Sequence, residues 1–171
     1  MDNRSMKALE RCKRLVAIDP GARVGMVRVA LIPPDMIRFD EPMWSVSAAQ
    51  TLAYNEVTAS SLLDAFTKFC APLRNDLVLL SERPQTQRGS THDDVMRCFG
   101  IVEALAARVL QHDGVVIYQG PHLLQGVSRW PLTLPKWIRT PHEKDALRHA
   151  LVLLGPQSFV NVTAAFEDAS W

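Results

Sequence analysis

The apolar residues of this chain come in short blocks, and the spacing inside each block predicts an element. Residues 14–18 are a brief run rich in branched side chains, halted by Asp19-Pro20-Gly21. A run bounded this way predicts a buried strand that ends in a turn. Residues 24–32 predict a second strand, closed by Pro33-Pro34, and residues 36–47 a third. The short connections suggest an antiparallel meander. Residues 56–70 place Leu62, Leu63, Phe66 and Phe69 at helical spacing,. Residues 77–81 form another continuous apolar run, which predicts a strand buried on both faces.

A polar stretch, residues 82–93, leads into a second helix over 94–111. That helix is apolar on more than one side, through Val95, Phe99, Ile101, Val102, Leu105, Val109 and Leu110. Asp93 and Asp94 sit where a helix N-terminus favours negative charge. Residues 115–118 predict a fifth strand, opened by Gly114. Residues 119–141 are rich in proline and tryptophan and read as irregular. Thr140-Pro141 then starts a last helix through Leu154, with Gly155-Pro156 as its stop,. The order is β-β-β-α-β-α-β-α. It predicts an α/β domain over 14–156, with a mixed five-stranded sheet flanked by helices. Residues 1–13 are expected to be a polar lead-in or short helix, and 157–171 a weakly patterned tail.

Composition narrows the function classes. At 171 residues, 47% hydrophobic and 22% charged, the chain suits one ordinary folded domain,. Its net charge of +1 is neutral on nucleic-acid binding, since a local basic patch is enough,. Cys12, Cys70 and Cys98 are scattered without metal-ligand spacing, and are expected to be reduced thiols,. No apolar run approaches the ~20 residues of a membrane span. Arg4, Lys7 and Arg11 are followed by no signal-peptide stretch before Lys13 and Arg14,. The expectation is a cytoplasmic protein with no membrane partner.

Three acidic positions then stand out. Asp19 ends the first strand, Glu82 ends the fourth, and Asp145 lies in the last helix with His142 one turn earlier. At spacing i, i+3, His142 and Asp145 share a helix face. Phosphodiester hydrolysis builds charge on the attacking and leaving oxygens. Two divalent ions roughly 3.5–4 Å apart can stabilise both and activate a water. Clustered carboxylates are the natural holder of magnesium, and an imidazole tilts preference toward manganese.

Four motifs now carry a resemblance. Leu15-Val16-Ala17-Ile18-Asp19-Pro20-Gly21 resembles the opening of RuvC-type Holliday-junction resolvases, in which a strand ends in Asp-Pro-Gly and a second follows at once. Val78-Leu79-Leu80-Ser81-Glu82 is similar to their second acidic strand. Gly100-Ile101-Val102-Glu103-Ala104-Leu105-Ala106 is similar to a helix with a glycine followed by small residues. His142-Glu143-Lys144-Asp145-Ala146-Leu147 resembles the His/Asp-x-x-Asp-Ala pattern that closes their site, in a form familiar from phage-type members. The resemblance spans residues 14–154. It implies the RNase H-like fold, whose element order is the one above. It also implies a metal site of Asp19, Glu82, His142 and Asp145 holding two Mg2+ or Mn2+ ions. The family carries basic residues just before the last helix; Lys136 is the nearest here, and no catalytic role is carried onto it.

Each residue also has a plainer reading. Asp-Pro-Gly is a common turn. Glu82 and Arg83 could form a surface pair, Asp145 could pair with His149 at i+4, His142 could cap the helix, and Glu143 could answer its dipole. The ordered coincidence of all of them favours the nuclease site. Two segments could hold DNA. One is the loop 83–92, with Arg83, Gln85 and Arg88 suited to phosphates. The other is 129–139, where Arg129, Lys136 and Arg139 interleave with Trp130 and Trp137.

The expected function is therefore a structure-selective endonuclease that resolves branched, four-way-junction DNA in recombination, repair or phage DNA processing, within a bacterial or phage-infected cell. A homodimer is expected, because two paired cuts need two like sites and the second helix has a spare apolar face. The rivals are another RNase H-like nuclease, acting on RNA–DNA hybrids or flaps, and a catalytically silent junction-binding module. Clustered carboxylates argue against the silent module, since without metal they repel DNA. A sugar-kinase or actin-like ATPase needs two such halves, for which 171 residues leave no room.

Overall fold

The computed structural model describes residues 3–21, 23–32, 43–53, 59–73, 76–84, 92–110, 114–125 and 136–155. In chain order they form α1 (Asn3–Arg11), β1 (Arg14–Asp19), β2 (Arg23–Leu31), β3 (Trp44–Ala53), α2 (Ala59–Cys70), β4 (Leu77–Glu82), α3 (His92–Val109), β5 (Val116–Gln119), a 3-10 turn (Pro121–Gln125) and α4 (Pro141–Leu154). The five strands make one mixed sheet in the order β3-β2-β1-β4-β5. The meander β1-β2-β3 is antiparallel, whereas β4 and β5 join in parallel. This is the expected α/β sheet flanked by helices.

Side-chain parity organises everything else. In a strand successive side chains point to opposite faces. Leu15 and Ala17 of β1 lie in one core with Val27 and Val29 of β2, Val78 and Leu80 of β4, and Ile117 of β5. That core is closed by Ala8 of α1 and by Ala146, Leu147, Ala150 and Leu151 of α4. Val16, Ile18, Met26 and Leu79 face the other way, onto Leu62, Phe66 and Phe69 of α2 and Ile101, Leu105 and Val109 of α3. Residues 15–18 are fully buried, which is why β1 reads as an unbroken apolar run,.

Two expectations are corrected. The third strand, expected over 36–47, occupies Trp44–Ala53 and so runs six residues past the expected end, while 36–42 lie outside the described residues. Its second half, Ser47-Ala48-Ala49-Gln50-Thr51, has little β-branched content, so single-strand propensity hides it. Pairing along β2 from Leu31↔Trp44 to Arg23↔Ala53 supplies the stability instead, with an irregularity at Arg28/Val29. Residues 119–141 are not wholly irregular, since β5 extends to Gln119 and a 3-10 turn follows. The remaining boundaries differ by amounts ordinary for frayed ends.

Residues 1–13 contain a true helix, whose Ala8, together with Cys12 just beyond it, enters the core. Cys12, Cys70 and Cys98 form no disulfide. Among the described residues no helix is long and apolar enough to cross a membrane. The expected tail, 157–171, lies outside the described residues.

Candidate active site

Parity carries the acidic side chains to one place. Asp19 continues the Leu15–Ala17 face of β1, and Glu82 continues the Val78–Leu80 face of β4. The two strands are parallel neighbours, with Ile18 opposite Ser81. Both carboxylates therefore leave the same end of the sheet on the face that α4 covers. Helix α4 lies across β2, β1 and β4.

Its start is strongly specified. Thr140 is the N-cap, with its hydroxyl accepting from the Glu143 amide at 3.1 Å. The Glu143 carboxylate answers from Thr140 N at 3.2 Å and from Arg139 N at 2.7 Å, completing a capping box,. Thr51 of β3 ties this turn to the sheet. Its hydroxyl lies 2.6 Å from that of Thr140 and donates to Glu143 Oε1 at 3.0 Å. Thr140→Ala should cost about 1 kcal/mol. That lowers the thermal midpoint by roughly 2–4 °C, measurable by circular dichroism.

Gly25 of β2 permits the approach. It stands opposite Asp19 in the β1–β2 ladder. A Cβ placed on it would fall on the backbone of His142, and 2.6 Å from its Cβ. The helix start thus rests on bare strand backbone, and His142 Nδ1 reaches Asp19 Oδ2 at 2.8 Å.

Two turns later on the same stripe, His149 is fully buried. Its Nε2 lies 3.2 Å from Glu82 Oε2 and its Nδ1 3.0 Å from Gln119 Oε1. The plainer alternative, an Asp145–His149 pair, is therefore not formed. Asp145 instead pairs with Arg148 at 2.5 Å. Nor does His142 cap the helix, since Thr140 does. The sequence reading missed Gly25, Gln119 and His149. The last had a signal, because 142, 145 and 149 share one helical face.

Charge crowding is felt at Asp19. Burial pushes its carboxyl up to about 6, the His142 hydrogen bond pulls it down, and the nearby charges of Glu82 and Asp145 push it up again. A buried carboxylate facing two others suits a cation between them. The hard oxygen donors and one imidazole fit magnesium or manganese by type. As the side chains stand, no three His, Cys, Asp or Glu among the described residues are gathered to hold an ion. The Asp145–Arg148 pair is half-exposed and so is weakly held,.

The proposed DNA contacts divide. Arg83, Lys136 and Arg139 are exposed. Arg83 directly follows Glu82, and its amide donates to Gln119 O at 2.6 Å. Arg139 adjoins the cap of α4. Gln85, Arg88, Arg129 and Trp130 lie outside the described residues. Trp137 is half-buried against the core, which accounts for it without DNA. The glycine of the third motif, Gly100, is exposed, and a Cβ there would meet nothing within 4 Å among the described residues.

No family model matches the sequence, and no curated protein matches it. Solved structures do. A structure of Thermus thermophilus RuvC matches over 81% of this chain and 92% of its own, at 16% identity and a TM-score of 0.53. A structure of T. thermophilus RuvC in complex with a Holliday junction substrate matches over 81% and 90%, at 15% identity and a TM-score of 0.59. The likeness establishes the fold.

Proposed function

We propose that this chain, built on the fold of RuvC, is a metal-dependent endonuclease that cuts branched DNA. The observation that carries the reading is the convergence of Asp19 and Glu82, at the ends of parallel neighbouring strands, beneath the helix face bearing His142 and Asp145. Its fold neighbour was solved with a four-way junction.

In this reading Asp19, Glu82, His142 and Asp145 hold two divalent ions, magnesium or manganese. Bound there, the ions would neutralise charge on the attacking and leaving oxygens and make a water acidic enough to attack. Asp19 would be a central ligand, standing at the end of β1 with His142 on its Oδ2 and the charges of Glu82 and Asp145 nearby. Its burial disfavours a lone negative charge, so the site favours the cation-loaded form. His142 orients Asp19 through Nδ1. Arg83, Gln85, Arg88, Arg129, Trp130, Lys136 and Arg139 would serve the DNA, mostly as phosphate contacts that position without reading sequence. Two chains related by a two-fold axis would match the near-symmetry of a junction. The protein would act in the cytoplasm of a bacterial or phage-infected cell.

The test is cleavage of a labelled four-way junction beside matched duplex, flap and RNA–DNA hybrid, with Mg2+, Mn2+ or chelator. Paired, symmetric nicks in the junction that vanish with chelator are expected. Cleavage of hybrid or flap alone would move the substrate while keeping the site. Binding with no cleavage under any metal would reject the nuclease.

A further inference from the structure

Full burial of a histidine is costly unless both ring nitrogens find partners. His149 is 0% exposed, and an apolar residue would pack against this sheet at less cost. Its two hydrogen bonds explain why it is there. Glu82 and Gln119 are cross-strand neighbours at the ends of β4 and β5, and both continue the faces that α4 covers. The imidazole sits over the pair, with Nε2 on Glu82 Oε2 and Nδ1 on the Gln119 amide.

The chemistry orders these contacts. An ionised carboxylate only accepts, so Nε2 carries the proton given to Oε2. A neutral ring with its proton on Nε2 leaves Nδ1 an acceptor, so the Gln119 amide is turned with its NH2 toward Nδ1 and donates to it, the amide oxygen and nitrogen exchanging places by a flip of the side chain,. Gln119 is itself held, since it is 7% exposed and its carbonyl accepts from Arg83 N. The three side chains form a rigid arm that runs from the edge strand to the candidate site.

We infer that His149, steadied by Gln119, is a positioning residue that holds Glu82 by Oε2 and presents the other carboxylate oxygen, Oε1, to a divalent cation. This rests on the nuclease reading above. Partners behind a metal ligand fix its orientation, and losing one typically weakens metal binding roughly 10–100-fold.

The experiment is calorimetric titration of Mn2+ into the full DNA-free chain, on wild type, Asp19→Asn, His149→Phe, His149→Gln and Gln119→Met. Folding is checked by circular dichroism, and kcat and KM are read on a junction. His149→Phe keeps a flat aromatic ring, somewhat larger than imidazole, but loses the donor. It should weaken Mn2+ binding roughly 10–100-fold and lower kcat with junction KM unchanged. His149→Gln restores an N–H and should recover most of the affinity, which a merely structural role would not predict. Gln119→Met should fall between them. A folded His149→Phe that binds Mn2+ as wild type does overturns the inference. If His149→Phe does not fold, Gln119→Met decides, and unchanged affinity there overturns it equally. Affinity lost in Asp19→Asn but kept in both arm variants rejects the arm and spares the nuclease. A wild type that takes no Mn2+ rejects both.

Discussion

Asp19→Asn is expected to lower junction cleavage by roughly a thousandfold or more while leaving junction binding intact. Losing several kcal/mol of metal-borne charge stabilisation, at about 1.4 kcal/mol per tenfold, gives that size. Binding should survive, because it rests on cations around the site and not on Asp19. The same substitution should stabilise the metal-free protein at neutral pH. The folded carboxyl lies near 6 against an ordinary 3.8, so the folded state holds its proton more tightly than the unfolded chain does. Stability from that proton is fully present below about pH 4 and is lost as pH rises through about 6. At about 1.4 kcal/mol per pH unit, wild type forfeits roughly 2–3 kcal/mol by pH 7.5. Asparagine carries no such charge. The variant should therefore melt higher than wild type at pH 7.5 with chelator, and the gap should close by pH 4. Added Mn2+ should reverse the order by stabilising wild type alone. Full cleavage by Asp19→Asn removes the residue from the site. Equal melting at pH 7.5 would mean that burial and the neighbouring carboxylates do not hold the Asp19 carboxyl above its ordinary range.

Gly25→Ala is expected to lower cleavage by about a hundredfold, although alanine brings no chemistry. The new methyl would overlap the backbone of His142, which cannot yield as a flexible side-chain end could. The first turn of α4 must move. It is clamped by the capping box and by Thr51, so the strain spreads into the helix–sheet contact. Overpacking of this kind costs about 1–3 kcal/mol. A displacement on the order of 1 Å at the site can cost about a hundredfold in rate. Denaturant unfolding and single-turnover cleavage measure the two effects. A variant with wild-type stability and rate would mean that α4 has room to spare over β2.

Much of this arrangement was open to reading along the chain. Fully apolar runs marked β1 and β4, because strands covered on both faces show no alternation. Thr140-Pro141 with Glu143 three residues on marked the start of α4, because capping chemistry is local. Asp19 and Glu82 stood at strand ends, and period-two parity alone places both on the Leu15–Ala17 and Val78–Leu80 faces. Those conclusions need only neighbours in sequence.

The partners of these residues do not follow from neighbours in sequence. Strand β3 is poor in strand-forming residues and exists through its pairing with β2. Nothing local says that α4, and not α2 or α3, covers the acidic face. Gly25 reads as one glycine inside a strand until the helix backbone lies against it. Asp145 had both His149 and Arg148 within one turn, and the choice went to Arg148 because packing drew His149 down onto the sheet. Periodicity and capping act over a few residues, so most of the elements, their order and the ends at which the carboxylates stand could be read from the chain, β3 excepted. Only the folded chain shows that bare Gly25 seats the start of α4 and that a buried imidazole stands behind Glu82. Those outcomes depend on contacts between residues as far apart as 82 and 149.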